Sequence, residues 1–401
     1  MHSETEAVSK KHYDIVVVGG GINGVGVAQA AAAAGYSALV LEKQALAAGT
    51  SSKSSKLIHG GLRYLESYEF SLVRESLRER ALLMKLAPDL VKPQDFYVPL
   101  FKQTRRSPTL LRAGLSLYYV LSGMNSVARF STLPRAQWGD LDGLRTDNLR
   151  AVFRYTDART NDALLTEAVM RSAQSLDAEI ICPAQFSGAD IHASGVEVHY
   201  KTGDWERSCE AGVLINAAGP WVNKVVAKAR PEISHVPIQL VQGAHIVVPG
   251  EMQERFYYVE SPRDGRAVFI MPRDGSVMVG TTETRFKGEL DGVHALPTEE
   301  SYLLRVLTHY FPHFRGIDRA DLLASWAGCR VLPAGEGHAF HRSRETILHP
   351  DNPDQVRMLS VYGGKLTSFR ATAEKAVERV AYSLPSRQRR ADTAELPLSL
   401  V

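Results

Sequence analysis

A β-branched run that breaks into glycines and then into alanines leaves few options for the fold it opens. Residues 13–18, YDIVVV, predict a strand. Gly19, Gly20, Gly21, Ile22, Asn23 and Gly24 follow at once, and the alanine-rich stretch 25–34, free of proline, predicts a helix. A second strand, 37–41, ends at Glu42. Each part has a physical task. Gly19 permits the tight turn, Gly21 lets the backbone approach a pyrophosphate, and Gly24 lets the helix pack close to the strand. The free N–H groups and positive dipole end of that helix hold the anion. Glu42 comes where a carboxylate accepts from ribose hydroxyls. The stretch predicts a dinucleotide clamp at the head of a Rossmann-type α/β unit.

At 401 residues the chain is long enough for two domains, or for one with large insertions. A net charge of +3 gives no ground for nucleic-acid binding, and the short basic cluster at 387–390 reads as a solvated end. Cys182, Cys209 and Cys329 are too widely spaced for a CxxC pair or a disulfide framework, which predicts a reducing cytoplasm. No metal-ligand pattern stands out. Residues 1–12 are polar and predict a loose lead-in rather than a secretory signal. No apolar run reaches the length of a membrane span.

Further along, residues 47–66 are dense in serine and glycine, and a long polar loop inside a compact unit is usually functional. Residues 70–86 predict an amphipathic helix stopped by Pro88. Residues 109–121 are apolar and flanked by Arg105, Arg106 and Arg129; they suit either a buried helix or a membrane interface. A strand over 150–155, a helix over 162–175 and a buried strand over 179–182 follow. Residues 196–201 and 205–209 read as a hairpin about Thr202, Gly203 and Asp204. A core strand at 213–215 leads into the small residues Ala217, Ala218 and Gly219, where backbone can pass close to a ligand. Residues 236–248 carry a long strand pattern interrupted near Gln242 and Gly243. Short strands at 256–260, 267–272 and 277–280, with turn signals such as Asp264-Gly265 and Asp274-Gly275, predict an antiparallel sheet distinct from the first unit. A helix over 299–310 stops at Pro312, and a strand approaches Arg330. Strand 358–362, Gly363-Gly364 and a helix over 366–381 repeat the logic of the clamp, with Lys365 at the helix N-terminus. The tail from Ser383 reads as extended or loose.

Taken together, YDIVVVGGGINGVG, TSSKSSKLIHGGLRYLE, INAAGPWV, GAHIVVP, VGTTET and SVYGGKLTSFR closely resemble the FAD-dependent, aerobic-type glycerol-3-phosphate dehydrogenases and oxidases. The motifs run in that family's order from Tyr13 to about Tyr382. The resemblance implies a glutathione-reductase-like FAD-binding domain with a mixed or antiparallel substrate sheet, as in the D-amino-acid-oxidase group. It implies an FAD domain over residues 13–91, 146–235 and 345–385, a substrate domain over 92–145 and 236–344, and a tail over 386–401. The family's usual C-terminal helical cap has no counterpart in the sequence.

The activity so implied is oxidation of sn-glycerol 3-phosphate to dihydroxyacetone phosphate, with hydride passing from C2 to flavin N5 and electrons passing on to a quinone or oxygen. FAD would be held by Gly19, Gly21, Ile22, Asn23, Gly24, Glu42 and Lys43. Thr50, Ser51, Ser54, Lys56, Leu57 and Ile58 would add contacts from the polar loop. Ala217, Ala218, Gly219, Gly364, Lys365, Leu366 and Thr367 would complete the site. Arg63, Tyr64, His245, Arg330 and Lys365 match substrate contacts; His59, His245, Arg330 and Lys365 match catalytic positions, either histidine being a proton acceptor. A phosphate dianion suits several fixed cations, and arginine offers a bidentate fork. Any peripheral contact with the cytoplasmic membrane face falls to the arginine-flanked stretch 109–121. The resemblance leaves the oligomeric state open, a dimer among the options. One departure is that Val331, rather than the family's common proline, follows Arg330. The alternative reading is a related FAD enzyme acting on another small hydroxylated, phosphorylated or amine substrate. A non-catalytic flavoprotein fits less well with an intact HGGLRY and GGKLT.

Overall fold

In the computed structural model every residue of the strand His12–Val18 after its first is buried, which suits the middle of a sheet covered on both faces. The structure describes residues 11–273, 275–334 and 345–400. The first sheet has nine strands. Its centre is parallel: Met358–Tyr362, Trp205–Asn216, His12–Val18, Ala38–Leu41 and Glu179–Ile181 lie side by side in that order. An antiparallel extension of Gly195–Thr202 and Gln185–His192 builds on the first half of Trp205–Asn216. The helices are α1 (Ile22–Ala33), α2 (Phe70–Leu86), α3 (Pro108–Leu121), α4 (Asp162–Gln174), α5 (Val222–Val226), α6 (Pro297–Tyr310) and α7 (Phe369–Ala381). Side chains of α1, α4 and α7 and the end of α2 form one core with the strand residues Ile15, Val17 and Val40. The small residues of α1 permit this crowding: a Cβ on Gly26 would sit 2.9 Å from the Phe369 ring. The opposite face, with Val16, Val18 and Leu39, is covered by the antiparallel extension through Phe186, Val198 and Tyr200.

The second sheet has ten strands, antiparallel except where Phe256–Glu260 runs parallel to Lys92–Phe101. Its long central strand, Ile238–Pro249, pairs with Ala324–Pro333 on one side and Ser276–Gly280 on the other. One face packs on α6. The other carries Phe96, Tyr258, Phe269, Met271, Met278 and Trp326 and packs on α2 and α3. The second sheet also takes in Leu57–Ile58 and Leu149–Arg159, so the chain passes from one sheet to the other and back several times.

Several expectations change in the structure. The strand through Gln242 and Gly243 is uninterrupted. Gly243 pairs with Gly328, and its missing side chain leaves room for Thr281 and Arg330, so it marks a close approach and not a break. The two strands expected at 205–209 and 213–215 are one, Trp205–Asn216, which serves both the hairpin and the parallel centre. The strand expected to be buried at 179–182 is Glu179–Ile181, at the sheet edge and partly exposed. The first helix begins at Ile22, and the last at Phe369 rather than beside the double glycine. Gly363 and Gly364 take positive φ, and 365–368 form a turn before the helix starts.

The tail is not loose. Arg390 donates its backbone N–H to Ala33 and Leu398 to Leu86, while Thr393 accepts from buried Arg370. The basic cluster joins in, with Arg387 paired to Asp14 and Arg390 to Asp177. The segment expected at 109–121 is a helix with a divided surface. Leu111, Leu115 and Tyr118 are buried, whereas Leu110, Leu117 and Val120 are 59%, 37% and 59% exposed. Of its flanking arginines, Arg106 turns inward to Glu66 and Glu260. No helix among the described residues is long and apolar enough to cross a membrane. Residues 1–10 and Asp274, on which two of the sequence readings fall, lie outside the described residues.

Candidate active site

The glycine turn is held by its own surroundings. Gly19 has φ +111 and comes so close to Ala217 that a Cβ would sit 2.7 Å from the carbonyl oxygen. Gly24 is tighter still, since a Cβ there would lie 1.9 Å from the Gly19 oxygen. Glu42 accepts the Gly20 N–H at 2.7 Å and the Gln44 N–H at 2.8 Å, so its carboxylate also fastens the turn. Ser51 accepts the Ile22 N–H at 2.9 Å, and Gly21 itself brings no capping side chain to α1. Asn23 donates to the Gly363 carbonyl at 3.2 Å, tying the clamp to the second glycine pair. Its Oδ1 is buried with no hydrogen-bond partner among the described residues. An unmet polar atom, glycines that admit no side chain and an N-cap glycine that brings none of its own together fit a dinucleotide.

The remaining residues expected at the cofactor divide. Thr50 donates to the Cys329 carbonyl at 2.7 Å, joining the polar loop to the second sheet. Ser54 donates to Asp162 at 2.7 Å, and Lys56 forms an ion pair with the same fully buried carboxylate. Lys43 pairs with Asp291 at 2.7 Å and lies 4.1 Å from the centre of the Trp221 ring. These four side chains are engaged with protein groups. Leu57 and Ile58 form a short buried strand. Ala217 and Ala218 follow the strand end, where Ala217 donates to Val18 at 3.0 Å and Gly219 takes positive φ. The turn holding Gly364, Lys365, Leu366 and Thr367 meets the polar loop where Thr367 Oγ1 accepts the His59 N–H at 3.0 Å and donates to the His59 carbonyl at 3.2 Å.

The expected substrate residues form two groups. In the first, Lys365 Nζ lies 4.0 Å and the Arg63 guanidinium 5.3 Å from the centre of the Tyr64 ring, so two cations from distant parts of the chain share one aromatic. The turn before them rests on a buried network absent from the sequence reading. Gly60 donates to Tyr118 Oη at 2.8 Å, Tyr118 donates to Asp157 at 2.8 Å, and Asp157 pairs with buried Arg80. Burial, with Asp157 beside it, raises the Tyr118 pKa far above its ordinary value and keeps the phenol protonated.

The second group lies on the inner face of the second sheet. His245 is 1% exposed, stacks on Trp326 with ring centres 5.5 Å apart, and bonds through Nε2 to Ser55 Oγ at 2.9 Å. Burial, followed by the charges of Arg330 and Lys56, lowers its pKa to about 3, so the imidazole is neutral at working pH. Arg330 donates to Thr281 Oγ1 at 3.2 Å. Ser55, Trp326 and Thr281 were not singled out from the sequence. Ser55 lies in a run of similar serines, and its tie to His245 spans 190 positions.

Comparisons with known proteins converge. A family model described as FAD dependent oxidoreductase matches residues 14–379. The chain is 36% identical over 377 residues to the D-erythritol 1-phosphate dehydrogenase of Brucella abortus, covering 93% of this chain and 74% of that one. It is 38% identical over 376 residues to the glycerol-3-phosphate dehydrogenase of Pseudomonas aeruginosa, covering 92% and 71%. Among solved structures, the FAD complex of the glycerol-3-phosphate dehydrogenase from Bacillus halodurans superposes with a TM-score of 0.75 at 27% identity, covering 98% of this chain and 68% of that one.

Proposed function

Because the chain belongs to the FAD-dependent oxidoreductase family, among its glycerol-3-phosphate dehydrogenases, we propose that it oxidises the secondary hydroxyl of a small polyol phosphate. The substrate proposed first is sn-glycerol 3-phosphate, with dihydroxyacetone phosphate as product. Bound FAD supplies the hydride acceptor. Gly19, Gly21, Asn23 and Gly24 of the clamp hold its pyrophosphate side, and Glu42 has lone pairs left for the ribose. The observation that carries the substrate class is the convergence of Arg63 and Lys365 on Tyr64. A phosphate dianion is the ligand to which several fixed cations are matched. Arg330, on the second sheet, adds a bidentate fork. His245, neutral and buried, takes the hydroxyl proton as hydride leaves, and His59 is the alternative acceptor. Electrons then pass to a quinone or to oxygen. The exposed apolar side of α3 supplies a peripheral contact with the cytoplasmic membrane face.

The test is the loss of phosphate preference. Arg330→Ala removes a bidentate pair, which costs about 2–5 kcal/mol where the charges are desolvated. That is roughly a 30- to several-thousand-fold drop in kcat/KM for glycerol 3-phosphate. Glycerol should be a poor substrate for both proteins and nearly indifferent to the change. Equal loss on both substrates, or no preference for the phosphate in the wild type, removes the reading. A second reading, D-erythritol 1-phosphate as substrate, draws on the similar Brucella protein and on Val331 beside Arg330, and belongs in the same assay.

A further inference from the structure

We propose that Ser55 holds His245 in the tautomer whose Nδ1 is the proton-accepting atom, and that the Trp326 indole N–H donates to the same substrate oxygen. This rests on the reading of His245 as proton acceptor.

The imidazole is pinned from three sides. Trp326 stacks on it at an interplanar angle of 16°. Gly280, opposite on the neighbouring strand, leaves its ring edge just enough room, since a Cβ there would sit 2.1 Å from Cδ2. Ser55 Oγ takes up Nε2 at 2.9 Å. Only Nδ1 is left, buried and without a hydrogen-bond partner among the described residues. Two tautomers are open to such a ring. If Ser55 donated to Nε2, Nδ1 would carry a buried, unmet N–H. If Ser55 accepts from Nε2–H, the unmet group is an acceptor. Orphaned donors are the rarer and costlier of the two in folded proteins. The hydroxyl therefore selects the Nε2–H form and presents the Nδ1 lone pair.

Beside it, Trp326 Nε1–H is also buried without a partner among the described residues. One orphaned acceptor and one orphaned donor on stacked rings are the complement of a hydroxyl group, which gives one hydrogen and accepts another. When the hydroxyl proton transfers, the O–H bond breaks and the Nδ1–H bond forms. The electron pair left on oxygen becomes the carbonyl as hydride departs, and Trp326 steadies the charge that develops there. Ser55 then accepts from the imidazolium. It acts through His245 and is a positioning residue. Ser55 also lines a cavity of about 240 Å³ with Met252, Met271 and Met278, so a smaller side chain would admit water to Nε2.

Two measurements on the holoprotein test this. Imidazole nitrogen shifts of ¹⁵N-histidine-labelled protein report the tautomer, with the His245 signal identified by its loss in His245→Gln. The wild type should show Nε2–H, Ser55→Ala a mixture, and Ser55→Thr the wild-type form; an Nδ1–H signal in the wild type overturns the proposal. Anaerobic flavin reduction by glycerol 3-phosphate gives the second. Ser55→Ala should lower the maximal rate on the order of 10- to 100-fold, as other hydrogen bonds that orient an imidazole do. KM and FAD content should hold, and Ser55→Thr should restore the rate. Trp326→Phe keeps the stack and should slow reduction with the tautomer unchanged. Unaltered rates in both Ser55→Ala and Trp326→Phe overturn the proposal. A wild type that no polyol phosphate reduces removes the function proposed above, while the tautomer measurement still judges Ser55.

Discussion

Replacing Glu42 by alanine separates the role its carboxylate plays in the glycine turn from the one proposed for it at the ribose. Its oxygens accept the Gly20 N–H at 2.7 Å and the Gln44 N–H at 2.8 Å from a position 9% exposed. Charge-assisted hydrogen bonds of this kind contribute about 1.5–3 kcal/mol each. The Gly20 bond is buried, so its loss counts in full, whereas water reaches part of what Gln44 loses. The apoprotein should therefore be destabilised by about 2–4 kcal/mol. With an unfolding entropy near 2.1 cal/mol/K per residue over 401 residues, that lowers Tm by about 2–5 °C. FAD affinity should fall as well under the placement proposed above, in which this turn, tethered by Glu42, receives the pyrophosphate and the carboxylate accepts from the ribose. Glu42→Gln keeps the volume but sets an amide N–H against a backbone donor, and should fall between. Calorimetry on apoprotein and holoprotein, with flavin fluorescence for affinity, reads both roles. If the Glu42→Ala apoprotein melts with the wild type while FAD binding weakens, the carboxylate serves the ligand alone and the tether argument is wrong. If neither changes, the reasoning fails entirely.

Two further expectations concern the surface. Wild-type protein should co-sediment with anionic vesicles at low salt. Replacing Leu110, Val120 and Met124 by glutamine, residues 59%, 59% and 65% exposed, should abolish this; absence of binding by the wild type counts against a membrane contact through α3. The tail should loosen first in acid. Burial works to raise the Asp14 pKa, but Arg387 and Ser37 hold it below the usual aspartate range. A depressed folded pKa means the pair contributes above the unfolded value, about 4, and is lost as pH falls through the folded one. Hydrogen exchange in residues 383–400 should accelerate below about pH 4, ahead of the sheets, and Arg387→Ala should remove that step; simultaneous loosening of tail and sheets contradicts it.

What the sequence made legible was local. The strand, glycine turn and helix of the clamp lie within 30 neighbouring positions, and each part carries its own chemical signature. The helix at 70–86 has the bounds its apolar spacing and Pro88 predict. Long-range relations were hidden. Nothing near Gly243 tells whether a glycine ends a strand or makes way for Arg330 from another. Ser383 onward has no periodicity, because its order comes from α1, α2 and α7 and not from itself. The composition of the polar loop read as functional, yet its serines could not be told apart. Ser51 caps α1, Ser54 serves Asp162 and Ser55 serves His245, and only the fold assigns those partners.

The repeated passage of the chain between its two sheets governs how the protein can be made and broken. His12–Val18 and Met358–Tyr362 flank the same strand, and Leu57–Ile58 belongs to the other sheet from the strands that precede it. No single cut separates one sheet from the other, so the two cores are built from interleaved segments of the chain. Such long-range pairing costs loop-closure entropy before either core is rewarded, which makes folding slow, with aggregation-prone edges exposed meanwhile. The clamp and the Gly363-Gly364 turn meet only when the two ends of the chain have been brought together. Flavin uptake during refolding is thus a late event, and the appearance of bound flavin colour marks molecules whose whole topology is closed.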